Sequence, residues 1–479
     1  MKSVSSDKLY YKKQKTLLII RFAAHKCVFY QKMKSVSSDK LYYSDIWNGE
    51  QNIMKRLLAV LLALIIFGIS CTYADICTIK AYDEDGLVSE AEISGEVSSD
   101  EEQSVDIQSV KNNEFNAVWI SYLEFDSKGY SESEFKEHID EIFDNVASIG
   151  MNAVVVHVRP FGDAFYPSKY FPWSRYVSGE QGKNPGYDPL AYMVKAAHER
   201  GLEFHAWINP YRITSSGTDV NVLSKDNQAR IWASSKSTKR LVLSYGGKLY
   251  YNPSYARVRN LIVNGVIEIV ENYDVDGIHF DDYFYPAFGD NYETVFDAQE
   301  YNSYKSKQIK AGAAYMNIAD YRRKQVSTLV NRVYTAIKKI DNNVVFGISP
   351  EGYLPNLLDD TRHYTEVEKW INKKGYIDYI CPQIYFSFEH TKAAFDLCVN
   401  QWTDLRNNSS PVKLYIGIPV YKAGTNVESQ FKTDKNVLKK MLEYSRATNE
   451  VSGFIYYRYE NLFGDTAKKA VAQMLKVIE

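Results

Sequence analysis

Three carboxylates stand where short apolar runs of this 479-residue chain end. Asp281 and Asp282 close the run GIHFDD, and Glu351 closes VFGISPE. Two carboxyl groups flanking a glycosidic bond suffice to break it. One protonates the leaving oxygen; the other is the nucleophile or the base that activates water. Asp281 is the first choice for the ionised partner. Arg159, at the end of another run, is expected beside it, and a neighbouring cation lowers a carboxylate's pKa. Glu351 is expected to be the acid, its pKa raised by Tyr353 and apolar neighbours. Asp282 competes for either role, or else caps a loop or pairs with a cation.

Polar and aromatic side chains collect at the same relative place on the other runs. HVRP ends in Arg159 and Pro160. HAWINPY carries His205, Trp207 and Asn209. His279 precedes Asp281, and Tyr283 follows Asp282. PQIY brings Gln383 and Tyr385, PVY brings Tyr421, and the last run ends in Tyr457, Arg458, Tyr459 and Glu460. The middles of the runs are apolar, and stability alone requires no such collar. Period-two alternation puts His279 and Asp281 on one face, and likewise His157 with Arg159. Tyr166 is another aromatic near the collar. The chain has 39 Tyr and 7 Trp. Aromatic faces with polar rims suit sugar rings, although a tyrosine-rich core and surface would use many of them. His157, His205 and His279 with Asp281 raise a rival, a metal-dependent deacetylase. No HxH or HxxxH pair supports it, so no metal or other cofactor is expected. A second rival is a glycan-binding protein that lacks a second carboxylate.

Eight elements must position these groups. The apolar runs span residues 115–125, 152–160, 203–211, 277–283, 344–351, 377–385, 413–421 and 453–459, and helical stretches separate them. Ser131 to Glu134 has the form of a capping box. Asp188 and Pro189 open the next helix and Gly201 closes it. Longer amphipathic helices are expected at 257–272 and 321–339. Eight strand–helix alternations over residues 113–479 predict a (β/α)8 TIM barrel, with the site at the C-terminal ends of its strands. A doubly wound sheet would usually place a Gly-rich phosphate turn after its first strand, and none is present.

Composition narrows the partners. The formal net charge of −2 argues against nucleic acid. The five cysteines (Cys27, Cys71, Cys77, Cys381 and Cys398) form no CxxC pair, and a disulfide framework is not expected. MKSVSSDKLYY occurs at 1–11 and again at 33–43. Residues 1–53 therefore read as an upstream extension translated from too early a start. Met54 begins an export signal over 54–74, with Lys55 and Arg56 before an apolar stretch too short to span a membrane comfortably. Cleavage after Ala74 would release the chain, and lipidation of Cys71 would anchor it. Residues 75–112 are strongly acidic and read as a disordered linker.

The blocks NAVVVHVRPFGDAFYPSKYFPWS, AAHERGLEFHAWINPYR, VDGIHFDDYFYP, VVFGISPEG, IDYICPQIY and LYIGIPVYK resemble a bacterial glycosyl-hydrolase-like family related to family 10 glycoside hydrolases. The resemblance spans residues 115–455. It implies a TIM barrel, export to the cell envelope, and action on glycans. One branch of that family is an outer-membrane lipoprotein that cleaves peptidoglycan glycan strands stripped of peptides. Carried over by motif, the strand-2 block adds Asp163 and Tyr166 to Arg159. The strand-3 block adds Arg212 to His205, Trp207 and Asn209. The strand-4 block puts its acidic pair at Asp281 and Asp282, and the strand-6 block places Gln383 and Tyr385. Glu351 departs from the pattern, since many members carry an aromatic residue there. The end of the first run also differs, which brings Glu124 and Asp126 forward as alternatives for the second carboxylate. The expected function is therefore exported glycoside hydrolysis of peptidoglycan glycan or a related bacterial polysaccharide.

Overall fold

Every apolar run contributes one strand to a closed parallel barrel in the computed structural model, which describes residues 114–126 and 128–478. The strands are β1 Phe115–Ile120, β2 Ala153–Arg159, β3 Glu203–Ile208, β6 Gly277–Asp281, β7 Val345–Ser349, β8 Tyr379–Ile380, β9 Lys413–Ile418 and β10 Val451–Tyr456. Between β3 and β6 lies an antiparallel hairpin, β4 Val242–Tyr245 and β5 Lys248–Tyr251. The barrel order is β1-β10-β9-β8-β7-β6-β3-β2, and β2 pairs with β1 to close it. This is the expected eight-stranded β/α barrel. The duplicated segment, the export signal and the acidic linker lie outside the described residues.

Helix starts follow local chemistry. The Ser131 side chain accepts from the Glu134 N–H and Glu134 reaches back to the Ser131 backbone, opening Glu132–Ser148. Asp188 caps Pro189–His198 by accepting from Ala191 N. The long helices are Ala256–Asn272 and Ile318–Ile340. Strands end earlier than the apolar runs. β8 stops at Ile380, two residues before Pro382, which has no N–H to give a neighbouring strand.

Two of the apolar cores shape the barrel. One packs the outer strand faces against the helices and includes Val154, Val156, Ile278 and Phe280. The other fills the barrel and includes Trp119, Val155, Trp207, Tyr379 and Tyr415. The inner core has a polar axis. The Tyr379 hydroxyl lies 2.9 Å from His205 Nδ1 and 2.8 Å from His279 Nδ1. Glycine makes room for it, since a Cβ at Gly347 would lie 2.0 Å from Tyr379 Cζ. Surrounding strands leave the phenol nowhere to move. Gly347→Ala is expected to destabilise the fold by about 3 kcal/mol, the upper end of overpacking costs, as read from a urea unfolding midpoint.

One irregularity re-aims a side chain. The β2–β3 register pairs His157 with Trp207 and Arg159 with Ile208, so β2 carries one extra residue at Val158. A bulge of this kind reverses the alternation beyond it.

Candidate active site

The C-terminal ends of the strands surround a cavity of about 250 Å³. Trp119 from β1 and Trp207 from β3 form one wall, with Tyr385 and Tyr457 also lining it. Trp207 stacks nearly parallel on His157. Asn209 donates to Pro160 O at 3.0 Å and holds the neighbouring rim. His279 lies beneath the cavity, two residues before Asp281 on the inward face of β6. Its Nε2 accepts from Trp119 Nε1 at 3.3 Å and lies 2.9 Å from Ser349 Oγ. Burial holds His157 and His279 well below the usual histidine range, so both rings are neutral.

Asp281 is buried and lines the cavity. Its Oδ1 accepts from the Asp282 N–H at 2.8 Å and from Gln383 Nε2 at 3.0 Å. Gln383 is itself fixed by donating to Ser349 O at 2.9 Å. Asp282 follows directly and is half-buried. Burial pushes both carboxyls upward. Asp282 rises furthest, because the charges of Asp281 and Glu351 add to its burial, while Arg212 opposes the rise. Of two interacting carboxyls, the one raised further is the one more readily kept protonated.

Several expected positions change. Arg159 does not stand beside Asp281. The bulge at Val158 turns it outward with Ile208, where its guanidinium lies 4.4 Å from the centre of the Phe171 ring. Arg212 is the cation facing the pair, stacked 4.2 Å from the Tyr283 ring centre at the rim. Asp281 is accordingly raised by burial rather than lowered. Glu351 is likewise not a raised acid. His363 Nε2 lies 2.6 Å from its Oε2 and Asn356 donates to Oε1, which together hold its pKa down against burial. Glu124 is spent on a cap and an ion pair: Ser121 N and Oγ donate to it at 2.8 and 2.7 Å, and Arg458 pairs with it. Asp126 is exposed in a turn, accepting from Lys128 N at 2.9 Å.

The remaining residues divide clearly. Trp207, Asn209, Arg212, Asp281, Tyr283, Gln383 and Tyr385 meet at the cavity. His205 and His279 belong to the barrel axis below it. Asp163 and Tyr166 are buried in the loop after β2. Asp163 accepts from Gln181 at 2.7 Å and burial pushes it up to about 6, while Tyr166 packs edge-on against Tyr273. Tyr421 packs against Tyr385 and Tyr457, with ring centres 5.7 Å away in each case. The three histidines share no common vertex, and among the described residues no group of three or more His, Cys, Asp or Glu is arranged to hold a metal ion. Tyr457, read in the sequence only as part of the strand-end collar, also lines the cavity. Its signal was available, since it lies two positions beyond the inward-facing Ile455 of β10.

An eight-stranded parallel barrel with an acidic pair in an aromatic-walled mouth has the architecture of the glycoside hydrolase barrels. The chain belongs to the glycosyl hydrolase-like 10 family, whose model matches residues 104–434. It is 40% identical over 366 residues to the glycosyl hydrolase YngK of Bacillus subtilis, covering 73% of this chain and 69% of that protein. It is 34% identical over 357 residues to the glycosyl hydrolase DigH of Escherichia coli, covering 70% of this chain and 78% of that protein. The glycoside hydrolase domain of PgaB (BpsB) from Bordetella bronchiseptica shares the fold. Its TM-score is 0.50 at 13% identity, over 75% of this chain and 98% of that domain.

Proposed function

We propose that the protein is an exported glycoside hydrolase that cleaves peptidoglycan glycan strands or a related bacterial polysaccharide. Buried Asp281 in the wall of the cavity, with the Asp282 N–H donating to it at 2.8 Å, carries this reading. Asp282 is the general acid: burial and the charges of Asp281 and Glu351 raise its pKa, and it is less buried than Asp281. Asp281 is the anion against the sugar that occupies the cavity. Trp119, Trp207, Tyr385 and Tyr457 offer ring faces to the pyranose, and Asn209, Arg212 and Gln383 offer donors to its hydroxyls. The relatives named glycosyl hydrolases support the reaction class.

The test is direct. Full-length protein incubated with peptide-free glycan strands is expected to release new reducing ends, and plant β-glucans are expected to be left intact. Binding of the strands with no new reducing ends would make the protein a glycan-binding one. Export is tested by the mature N-terminus, expected at Asp75 after cleavage or at a lipidated Cys71.

The ties on Glu351 give a separate prediction. Glu351→Gln is expected to keep kcat within about tenfold of native, because a general acid contributes about 10²–10⁴-fold and Glu351 is not one. A loss of about 100-fold or more would return the acid role to it. Initial rates on glycan strands decide between these outcomes.

A further inference from the structure

Resting on that proposed reaction, we infer that the sugar cleaved carries a 2-acetamido group, that this group is the nucleophile, and that Asp281 orients it while Asp282 donates the proton.

The reasoning begins with what the carboxyl groups can reach. A protein nucleophile and its acid must stand about 5–5.5 Å apart across the anomeric carbon, and an inverting pair about 6.5–9.5 Å apart. Asp281 and Asp282 are consecutive residues, and the Asp282 N–H donates to Asp281 Oδ1 at 2.8 Å. They stand on one side of a bond, not on two. The other carboxylates near the mouth are engaged. Glu351 is held by His363 at 2.6 Å and by Asn356. Glu124 is held by Ser121 and Arg458. Among the described residues Asp281 is the one carboxylate that lines the cavity, an arrangement that suits an attacking atom supplied by the substrate.

The cavity suits such an atom. Its indole and phenol walls would pack an acetyl methyl, and Asp281 would accept the amide N–H. The two donors already on Asp281 both fall on Oδ1 and hold the carboxylate at a set angle. Holding the acetamido group against the anomeric carbon converts the attack into an intramolecular step.

The step balances. Asp282 gives its proton to the glycosidic oxygen as the C1–O bond breaks. The acetamido carbonyl oxygen forms a bond to C1, and its N–H proton passes to Asp281, leaving a neutral oxazoline. Water then attacks C1 and gives a proton to Asp282. The oxazoline C1–O bond breaks and Asp281 returns its proton to the nitrogen. One water is consumed, and the anomeric configuration is retained.

The test uses full-length protein, glycan strands, the same strands chemically N-deacetylated, and N-acetylglucosamine-thiazoline as a mimic of the oxazoline. Cleavage with retention is expected, with the N-deacetylated strands at least about 100-fold slower and the thiazoline a competitive inhibitor. Asp281→Asn is expected to lose thiazoline binding in calorimetry with no fall in its unfolding midpoint. Inversion, equal rates on both strands, or a cleaving enzyme blind to the thiazoline would each overturn this inference and leave the hydrolase reading standing. Thiazoline binding without cleavage of the strands would support the acetamido site and overturn the choice of polysaccharide. Neither binding nor cleavage would overturn both.

Discussion

Asp282→Asn is expected to lower kcat on glycan strands by about 10²–10⁴-fold, the contribution of a positioned general acid. KM should change little, because the amide keeps the shape of the side chain. The loss should shrink on aryl glycosides whose leaving group needs no proton, since only proton donation has been removed. The pH profile gives an independent reading. The acid must be protonated to act, so the alkaline limb of kcat/KM belongs to Asp282. Burial and the charges of Asp281 and Glu351 move that limb upward from the ordinary carboxylate range. Arg212 moves it down, so Arg212→Gln should shift it to higher pH. Stability runs the other way. A carboxyl whose pKa is higher folded than unfolded contributes stability that is complete below its unfolded pKa and is lost as pH rises through the folded value. At neutral pH, Asp282 is therefore a burden on the fold, and Asp282→Asn should unfold at a higher midpoint than native protein. An inactive variant that is also more stable is hard to explain by misfolding. A variant with native kcat would remove Asp282 from the chemistry.

The barrel was legible because its physics is local. Each strand is an apolar run that ends in polar residues, and the 277–281 run shows both its inward face (His279, Asp281) and its outward face (Ile278, Phe280) by alternation alone. The acidic pair was legible for the same reason. Arg159 was not, because the extra residue at Val158 reverses the alternation, and a bulge has no signature in a run as uniform as AVVVHVR. The state of Glu351 depends on His363, twelve positions later in a loop whose path nothing local specifies. Sequence places a carboxyl group on a strand; its charge depends on which loops return to it. That is why Asp281 was expected beside Arg159 and not Arg212, and why the ties that hold Glu351 were not foreseen.

Those returning loops are held by a buried ion pair, and breaking it should have the largest effect on stability. Arg322 in the helix Ile318–Ile340 donates from Nε to Asp297 Oδ1 at 2.8 Å, and both side chains are fully buried. Asp297 Oδ2 takes the hydroxyls of Ser254 and Tyr285, each at 2.8 Å. The other Arg322 nitrogens donate to Tyr292 O at 2.8 Å, Tyr364 OH at 2.9 Å and Val295 O at 3.1 Å. The pair thus ties the loop that begins with Asp282 and Tyr283 to the loop that carries His363. Asp297→Asn keeps the shape but leaves Arg322 charged, buried and without its counter-ion. Removing one partner of such a pair costs about 3–5 kcal/mol, because the remaining charge stays desolvated. The urea midpoint should fall accordingly, with the slope of the transition unchanged. Well below that midpoint the loop should still loosen, so KM for glycan strands should rise more than kcat falls. An unchanged midpoint would mean that packing, not this pair, holds the loop. An unchanged KM beside a lowered midpoint would mean that the pair supports the fold without setting the rim of the site.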